Sequence, residues 1–325
     1  MTDTHEQTDP MAYASAYHAP VLVREVLDAL AVFPGGVWLD GTLGGGGHTQ
    51  AILEATGPDG RVFSIDRDPE AIAAATQRLS SFGERWTPLL GNYADARVLL
   101  DDAGVGQVDG WLVDAGVSSH QLDDPARGFS FRQAGPLDMR MGDSGLTAAE
   151  WLETLDADGL GHVIADYGEM KGSFRIARAI VSARDAGELH TTQDLANVVL
   201  SSAPRGRETN IHPATLVFQA IRIAVNDELS GLEKAVAEVP NVVKPNGRAV
   251  FISFHSLEDR IVKNGFRELA EDCVCPPGLP TCACDAVKQV DVITRKPVTA
   301  NDDELNENPR ARSAKMRAVT VLEVD

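Results

Sequence analysis

The stretch Asp40–His48 (DGTLGGGGH) decides the fold. Val37-Trp38-Leu39 reads as a short buried strand, Asp40 as its carboxyl end, and glycines 44–47 as a backbone-only turn. A helix is predicted to start near Thr49 and to stop at Gly57, a residue suited to a C-cap. Four successive glycines let the main chain approach a ligand where a Cβ would clash, and ordering them is entropically costly. A strand, a glycine turn and a helix in that order place a small-molecule site at the top of an α/β sheet. A dinucleotide site requires G-x-G-x-x-G. Counted from Gly44 the third glycine position is Thr49, and counted from Gly45 it is Gln50, so that frame fails.

The pattern present instead, D-x-T-x-G-x-G-G, resembles motif I of S-adenosylmethionine (SAM) methyltransferases, in which the glycine turn accommodates the methionine part. That ligand carries no phosphate, so a phosphate-cradling helix N-terminus is not required. The second strand, residues 61–65, ends in Asp66, a carboxylate placed to accept both ribose hydroxyls. Nicotinamide enzymes use an acid in the same place, so Asp66 alone does not separate the two cofactors.

Strand and helix signals alternate from Val37 to Val113, as βαβ units require. Asp68-Pro69 opens a helix as N-cap and first helical residue. Strands are predicted over 87–90 and 108–113, and Asp40, Asp66, Tyr93 and Asp114 fall at or just past strand ends, where doubly wound sheets bind ligands. From Gln121 to His212 the pattern turns helical, with segments at 148–155, 174–183 and 192–200. A long helix is predicted over 213–239, then a strand over 248–254 and a helix from Ser256, with Ser256 as N-cap and Asp259 in its first turn. Residues 290–294 and 318–324 read as a closing antiparallel pair. The domain reading is a tail over 1–16 predicted to be disordered, a SAM-binding domain from 17–120 and 213–325, and an inserted helical domain over 121–212.

The chain has 325 residues, 43% hydrophobic, with a net charge of −19 and four cysteines. No apolar run approaches a membrane span and the polar N-terminus lacks a signal-peptide core, so the cytoplasm is the expected compartment, with no membrane association. The acidic balance opposes general nucleic-acid affinity. Two basic clusters stand against it: Arg310, Arg312, Lys315 and Arg317 near the C-terminus, and Arg127, Arg132 and Arg140. On charge alone each reads equally as a solvated face.

Motifs along the whole chain resemble one family closely, the MraW family of bacterial small-subunit ribosomal RNA methyltransferases. They include HxPVLxxEVL (residues 18–27), DxTxGxGGH (40–48), IDRDPxAI (65–72), DxGVSSxQLDxxxRGFSF (114–131) and GPLDMRM (135–141). YGE (167–169), HPAT (212–215), FQAxRIAVNDEL (218–229), ISFHSLEDRIVK (252–263) and NPRARSAKMR (308–317) continue the match. The resemblance implies a Rossmann-like class I methyltransferase sheet carrying an inserted helical domain. It also implies methyl transfer from SAM to the exocyclic N4 of a cytidine in 16S rRNA, at the decoding region of the small ribosomal subunit. By motif match the SAM contacts are Gly45, Gly46, Gly47, His48, Asp66, Tyr93, Asp114 and Gln121. The chain departs from the family at Ala115, where Leu is usual, at His120, where Pro is usual, and at Leu216, where Arg usually follows HPAT. A SAM-binding assembly factor without chemistry and a nicotinamide oxidoreductase are the rival classes. The strand-end acids speak for the enzyme, and the failed glycine frame speaks against the oxidoreductase.

Cytosine N4 is a poor nucleophile because its lone pair is delocalised into the ring, and an acceptor beside the amine can localise it and take a proton. Asp114 occupies the strand end that faces the amine in amino-methyltransferases; either it or the backbone carbonyls of Ala115 to Val117 polarise the amine, or it only binds SAM. Ser118 either contacts the base or caps a helix, and His255 either reaches the pocket or is structural. A base taken out of its stack needs a flat partner, for which Phe129, Phe131 and Arg132 are candidates, with core packing the alternative for the rings. Cys273, Cys275, Cys282 and Cys284 form CxC-x6-CxC. Four thiolates can close a tetrahedral zinc site, but such sites usually use CxxC, and this spacing favours a metal-free loop.

Overall fold

A computed structural model describes residues 13–14, 20–204, 212–273, 275, 284 and 286–324. The tail expected over 1–16 lies almost wholly outside these residues. The chain forms two compact units, Met1–Gly116 with Leu229–Asp325, and Val117–Glu228.

The first unit is built on seven strands: β1 Val37–Asp40, β2 Arg61–Asp66, β3 Trp86–Leu90, β4 Val108–Asp114, β5 Val243–Ser253, β6 Val290–Val292 and β7 Lys315–Val321. Their order is β3-β2-β1-β4-β5-β7-β6. β1 to β5 pair in parallel, and β7 runs antiparallel to both β5 and β6. The order reverses between β1 and β4, the switch point where ligands bind such sheets. This is the Rossmann-like class I methyltransferase sheet that the motifs imply.

Successive strand residues face opposite sides, so each strand feeds two cores. Trp38, Val62, Leu112 and Val250 pack on one face; Leu39, Phe63, Trp111, Val113 and Phe251 pack on the other. The indole of Trp38 lies over Gly110, where an added Cβ would stand 2.6 Å from the ring. On the opposite face, Trp111, Phe251 and Phe266 stack edge to face at 5.5 and 5.4 Å.

The second unit is helical, with helices Ala148–Glu153, Ala157–Gly168, Ser173–Asp185, Thr192–Ser202 and Pro213–Asn226. Leu160, Ile164, Ile176, Ile180, Leu195, Val217 and Ile221 share its core. Its limits are wider than the expected 121–212, because Pro213–Asn226 packs against helices Ala157–Gly168 and Thr192–Ser202. The predicted helix over 213–239 is two helices, Pro213–Asn226 and Glu228–Ala237, divided at Asp227 (φ 50°). Arg222 reaches past the break to pair with Glu228 at 2.8 Å. Helix Ala157–Gly168 is absent from the predicted segments; it carries two interior glycines. Gly161 is there for close packing, since a Cβ would stand 2.5 Å from the Phe174 ring.

Three further local readings change. The helix after the glycine turn is Gly47–Ala55, two residues earlier than predicted. β5 begins at Val243, five residues before the predicted start. The helix Ser256–Leu269 is capped by His255 with Glu258 in a reciprocal box, in place of Ser256 and Asp259. No helix of the described residues is long and apolar enough to cross a membrane.

The basic run near the C-terminus divides. Arg310 and Arg312 are exposed, whereas Arg317 is buried and its Nε donates to Asp259 Oδ1 at 2.7 Å. Lys315 Nζ lies 3.5 Å from the same carboxylate. Burial pushes the Asp259 carboxyl up, but the hydrogen bond and charge of Arg317, with Lys315, outweigh it and hold the group below its ordinary range. Arg317→Ala is expected to cost at least about 2 kcal/mol, under the roughly 3–5 kcal/mol of a fully stranded buried charge because Lys315 remains. Arg312→Ala should stay within about 0.5 kcal/mol of the parent. Denaturant midpoints of the two variants check both.

Candidate active site

The chemistry of the strand ends is organised by Asp40, which is completely buried. Its Oδ2 accepts from the Thr49 hydroxyl at 2.7 Å and its Oδ1 from the Thr42 amide at 3.0 Å. With the Thr49 proton committed to Asp40, the Ser64 hydroxyl donates to Thr49 Oγ1 at 2.8 Å, and Trp86 Nε1 donates to Ser64 Oγ at 3.1 Å. The hydrogen bonds thus run in one direction, from β3 through β2 and helix Gly47–Ala55 to the carboxylate on β1. Thr42 extends the set to β4, because its Oγ1 accepts from the Asp114 amide at 2.7 Å.

Asp66 holds the glycine turn from the other side. Gly44 N–H donates to its Oδ2 at 2.8 Å and Asp68 N–H to its Oδ1 at 2.9 Å. Gly44 and Gly46 have φ of +48° and +76°, the left-handed region that other residues avoid. Gly47 is required for a different reason: a Cβ there would stand 2.7 Å from Pro20 and 3.0 Å from the Tyr13 carbonyl. The Gly45 carbonyl accepts from Arg78 at 3.3 Å. Part of the glycine requirement is therefore internal packing, whereas the Gly44 side is open: a Cβ there would meet no heavy atom closer than 4.0 Å. Tyr93 lies against the residue that follows β1, its Cβ standing 3.1 Å from where a Gly41 Cβ would be.

His48 is buried, and its Nε2 faces the Val21 carbonyl at 2.8 Å. A carbonyl only accepts, so Nε2 carries a proton. Burial pushes the imidazole pKa down, against the pull of Asp40, so the ring is neutral and Nδ1 presents a lone pair. That lone pair lies 3.8 Å from Asp114 Oδ2. Asp114 in turn is pushed well above the carboxylate range by burial first, then by Asp40 and Glu258. Its Oδ1 is buried and meets no hydrogen-bond partner among the described residues. An orphaned carboxyl oxygen of this kind is costly unless a ligand completes it.

The remaining candidates have structural partners. Glu258 Oε2 accepts from the Phe254 amide at 2.7 Å, while His255 Nδ1 accepts from the Glu258 amide at 3.4 Å. His255 therefore acts as a helix cap. In the helical unit, Ser118 and Gln121 form a capping box, with Gln121 Oε1 accepting from Ser118 N–H at 3.0 Å and its amide donating to the Met141 carbonyl at 3.3 Å. Phe129 belongs to the helical core. Phe131 is half-buried against Phe218 and His212, at 5.1 and 5.0 Å. Arg132 is exposed. The structure thus brings together Asp40, His48, Asp66, Tyr93 and Asp114 with the glycine turn, and it assigns Ser118, Gln121 and His255 to helix starts. Sequence reasoning missed Thr42, Thr49, Ser64 and Glu258. Thr42 was visible as the T of D-x-T; the others carry no local signal.

Asp66 has a measurable signature. Burial pushes its carboxyl up to about 6, with the Asp68 and Gly44 amides pulling the other way. A carboxyl raised in the folded state confers stability that is complete below its unfolded pKa near 4 and is lost as pH rises through about 6. Carboxyl-carbon NMR of the ligand-free protein should show a resonance titrating near pH 6 that disappears in Asp66→Asn.

The model of the MraW methylase family matches residues 15–322. The chain is 51% identical over 308 residues to Ribosomal RNA small subunit methyltransferase H of Geobacter sulfurreducens, covering 94% of this chain and 99% of the relative. It is 50% identical to the proteins of the same name from Geotalea uraniireducens, over 93% and 97% of the two chains, and from Anaeromyxobacter dehalogenans, over 94% and 98%. With the sheet, the glycine turn and the strand-end acids in place, these matches show that the chain belongs to the MraW methylase family.

Proposed function

We propose that this protein transfers a methyl group from SAM to the exocyclic N4 of a cytidine in 16S rRNA, at the decoding region of the small ribosomal subunit, and does so in the cytoplasm. The observation that carries the reading is the set of carboxyls at the ends of β1, β2 and β4, with the buried Asp114 Oδ1 left without a partner among the described residues. Carboxyls raised by burial first and by neighbouring acid charges, Asp40 among them, second mark a place where positive charge is wanted. SAM supplies a sulfonium-activated methyl group and an ammonium, so it fits this donor set. The names of the relatives support ribosomal RNA as the substrate class.

In this reading Asp66 accepts the ribose hydroxyls through lone pairs not used by Gly44 and Asp68. The glycine turn would hold the methionine part, and Tyr93 would bound the cofactor pocket. Neutral His48 holds the turn to the Val21 segment and keeps a second cation out of the pocket. Asp114, returned toward its ionised form by the positive charge beside it, accepts a hydrogen bond from the cytosine amine. That contact localises the nitrogen lone pair, and Asp114 takes a proton as the new bond forms. Positioning for in-line attack supplies most of the acceleration, because the donor is already activated.

Labelled SAM with small subunits lacking the modification should place one methyl group on a cytidine N4, as read by mass spectrometry. A label on another atom or base would refute the assigned position. Asp114→Asn should lower kcat at least about 100-fold, as removal of a general base does, while the SAM Kd changes less than about tenfold. Unaltered turnover would remove Asp114 from the chemistry. Arg310→Glu and Arg312→Glu should each raise KM for the subunit and lower its logarithmic salt dependence by about one, with SAM affinity unchanged.

A further inference from the structure

The connection between helix Ser256–Leu269 and β6 contains all four cysteines of the chain, and no residue assigned to methyl transfer belongs to it. Its two ends are tied together, since Gln289 N–H donates to the Leu269 carbonyl at 2.8 Å. Some twenty residues therefore leave and return at one point, and no helix or strand occurs among the described ones. By composition the stretch is poor in core-forming side chains, with three prolines and no aromatic residue, and its Val287 is half exposed.

The sulfurs supply what the apolar side chains do not. Sγ atoms of Cys273, Cys275 and Cys284 all lie within 4.8 Å of one another, and Cys273 and Cys284 are 3.9 Å apart. A disulfide requires about 2.05 Å. A tetrahedral ion with metal–sulfur bonds of about 2.3 Å spaces its ligand sulfurs about 3.8 Å apart, and the observed separation agrees with that. Iron–sulfur clusters divide their cysteines between separate irons, whereas one tetrahedral ion gathers all its sulfurs around a point. CxC is a less usual spacing for such a site, yet here Cys273 and Cys275 converge, and Cys284 reaches them from the opposite end of the loop. Tetrahedral coordination asks for a fourth ligand. The sequence supplies one more thiol in the same stretch, Cys282, which lies outside the described residues.

From this convergence we infer that Cys273, Cys275 and Cys284 hold a structural zinc ion that closes the connection between helix Ser256–Leu269 and β6. Binding replaces each thiol proton with a metal–sulfur bond and releases those protons to solvent, with no change in oxidation state. The ion does for this loop what a hydrophobic core does elsewhere, by removing its conformational freedom.

The test uses the full-length protein purified under reducing conditions without added metal. Elemental analysis should return about one zinc per chain, and cobalt substitution should give the sulfur-to-metal charge-transfer bands of a tetrahedral thiolate site. Cys273→Ser and Cys284→Ser should each weaken zinc binding more than about 100-fold, beyond what loss of a supporting hydrogen bond costs. Should those variants fail to fold, the parent protein still decides. Chelation should lower its melting temperature and expose the thiols to a colorimetric reagent, and zinc should reverse both. Protein that stays zinc-free after reconstitution, thiols equally reactive with and without chelator, or a Cys273–Cys284 disulfide in the reduced preparation would each overturn the assignment.

Discussion

A completely buried carboxylate at the end of β1 sets the rest of the site. Asp40 cannot remain in the interior without donors, and the chain brings them from three directions: Thr42 in the turn, Thr49 in the next helix, and behind Thr49 the Ser64–Trp86 relay from β2 and β3. Because every member donates toward Asp40, the bonds polarise one another in the same sense. Satisfying this one group fixes where helix Gly47–Ala55 begins, how the glycine turn lies, and through Thr42 where the end of β4 sits. The catalytic candidate Asp114 is positioned by the needs of a residue that need not itself touch substrate.

The same packing explains the electrostatics. Burial first, and then the charges of Asp40 and Glu258, push the Asp114 carboxyl up, a conflict built into the site. A neutral His48 does not resolve it, since burial keeps its proton off Nδ1. A cationic ligand does. On this view the net charge of −19 says little about RNA, and the local fields matter more. Within the basic C-terminal run, Arg317 works inside the protein, while Arg310 and Arg312 remain on the surface.

Much of this was legible in the sequence where chemistry is local. Four glycines after a strand, an acid at the ends of β1, β2 and β4, and Asp68-Pro69 opening a helix all carry their structural reason within a few residues; the last is seen directly, with Asp68 accepting from the Glu70 amide. What was not legible depends on partners distant in the chain. Arg317 reads as surface charge until Asp259 is placed beside it. Ser256 looks like the better helix cap until His255 and Glu258 are seen to bond reciprocally. Asp227 breaks a helix that remains apolar and periodic on both sides, and its left-handed φ has no glycine to announce it. The spacing of the cysteines opposes a metal site, whereas their folded positions favour one. Gln121 was read from the motif as a cofactor contact, and its described bonds are those of a helix start together with one to the Met141 carbonyl.

The central claim is that the acid-lined glycine turn holds SAM, with Asp66 on the ribose. The most direct measurement is calorimetric titration of SAM into the parent protein and Asp66→Asn at pH 7.5, with the fold of each checked by circular dichroism. Hydrogen bonds to a charged group contribute roughly 1.5–3 kcal/mol each, so the variant should bind SAM at least about tenfold more weakly while remaining folded. Equal affinity in a folded Asp66→Asn would contradict the account.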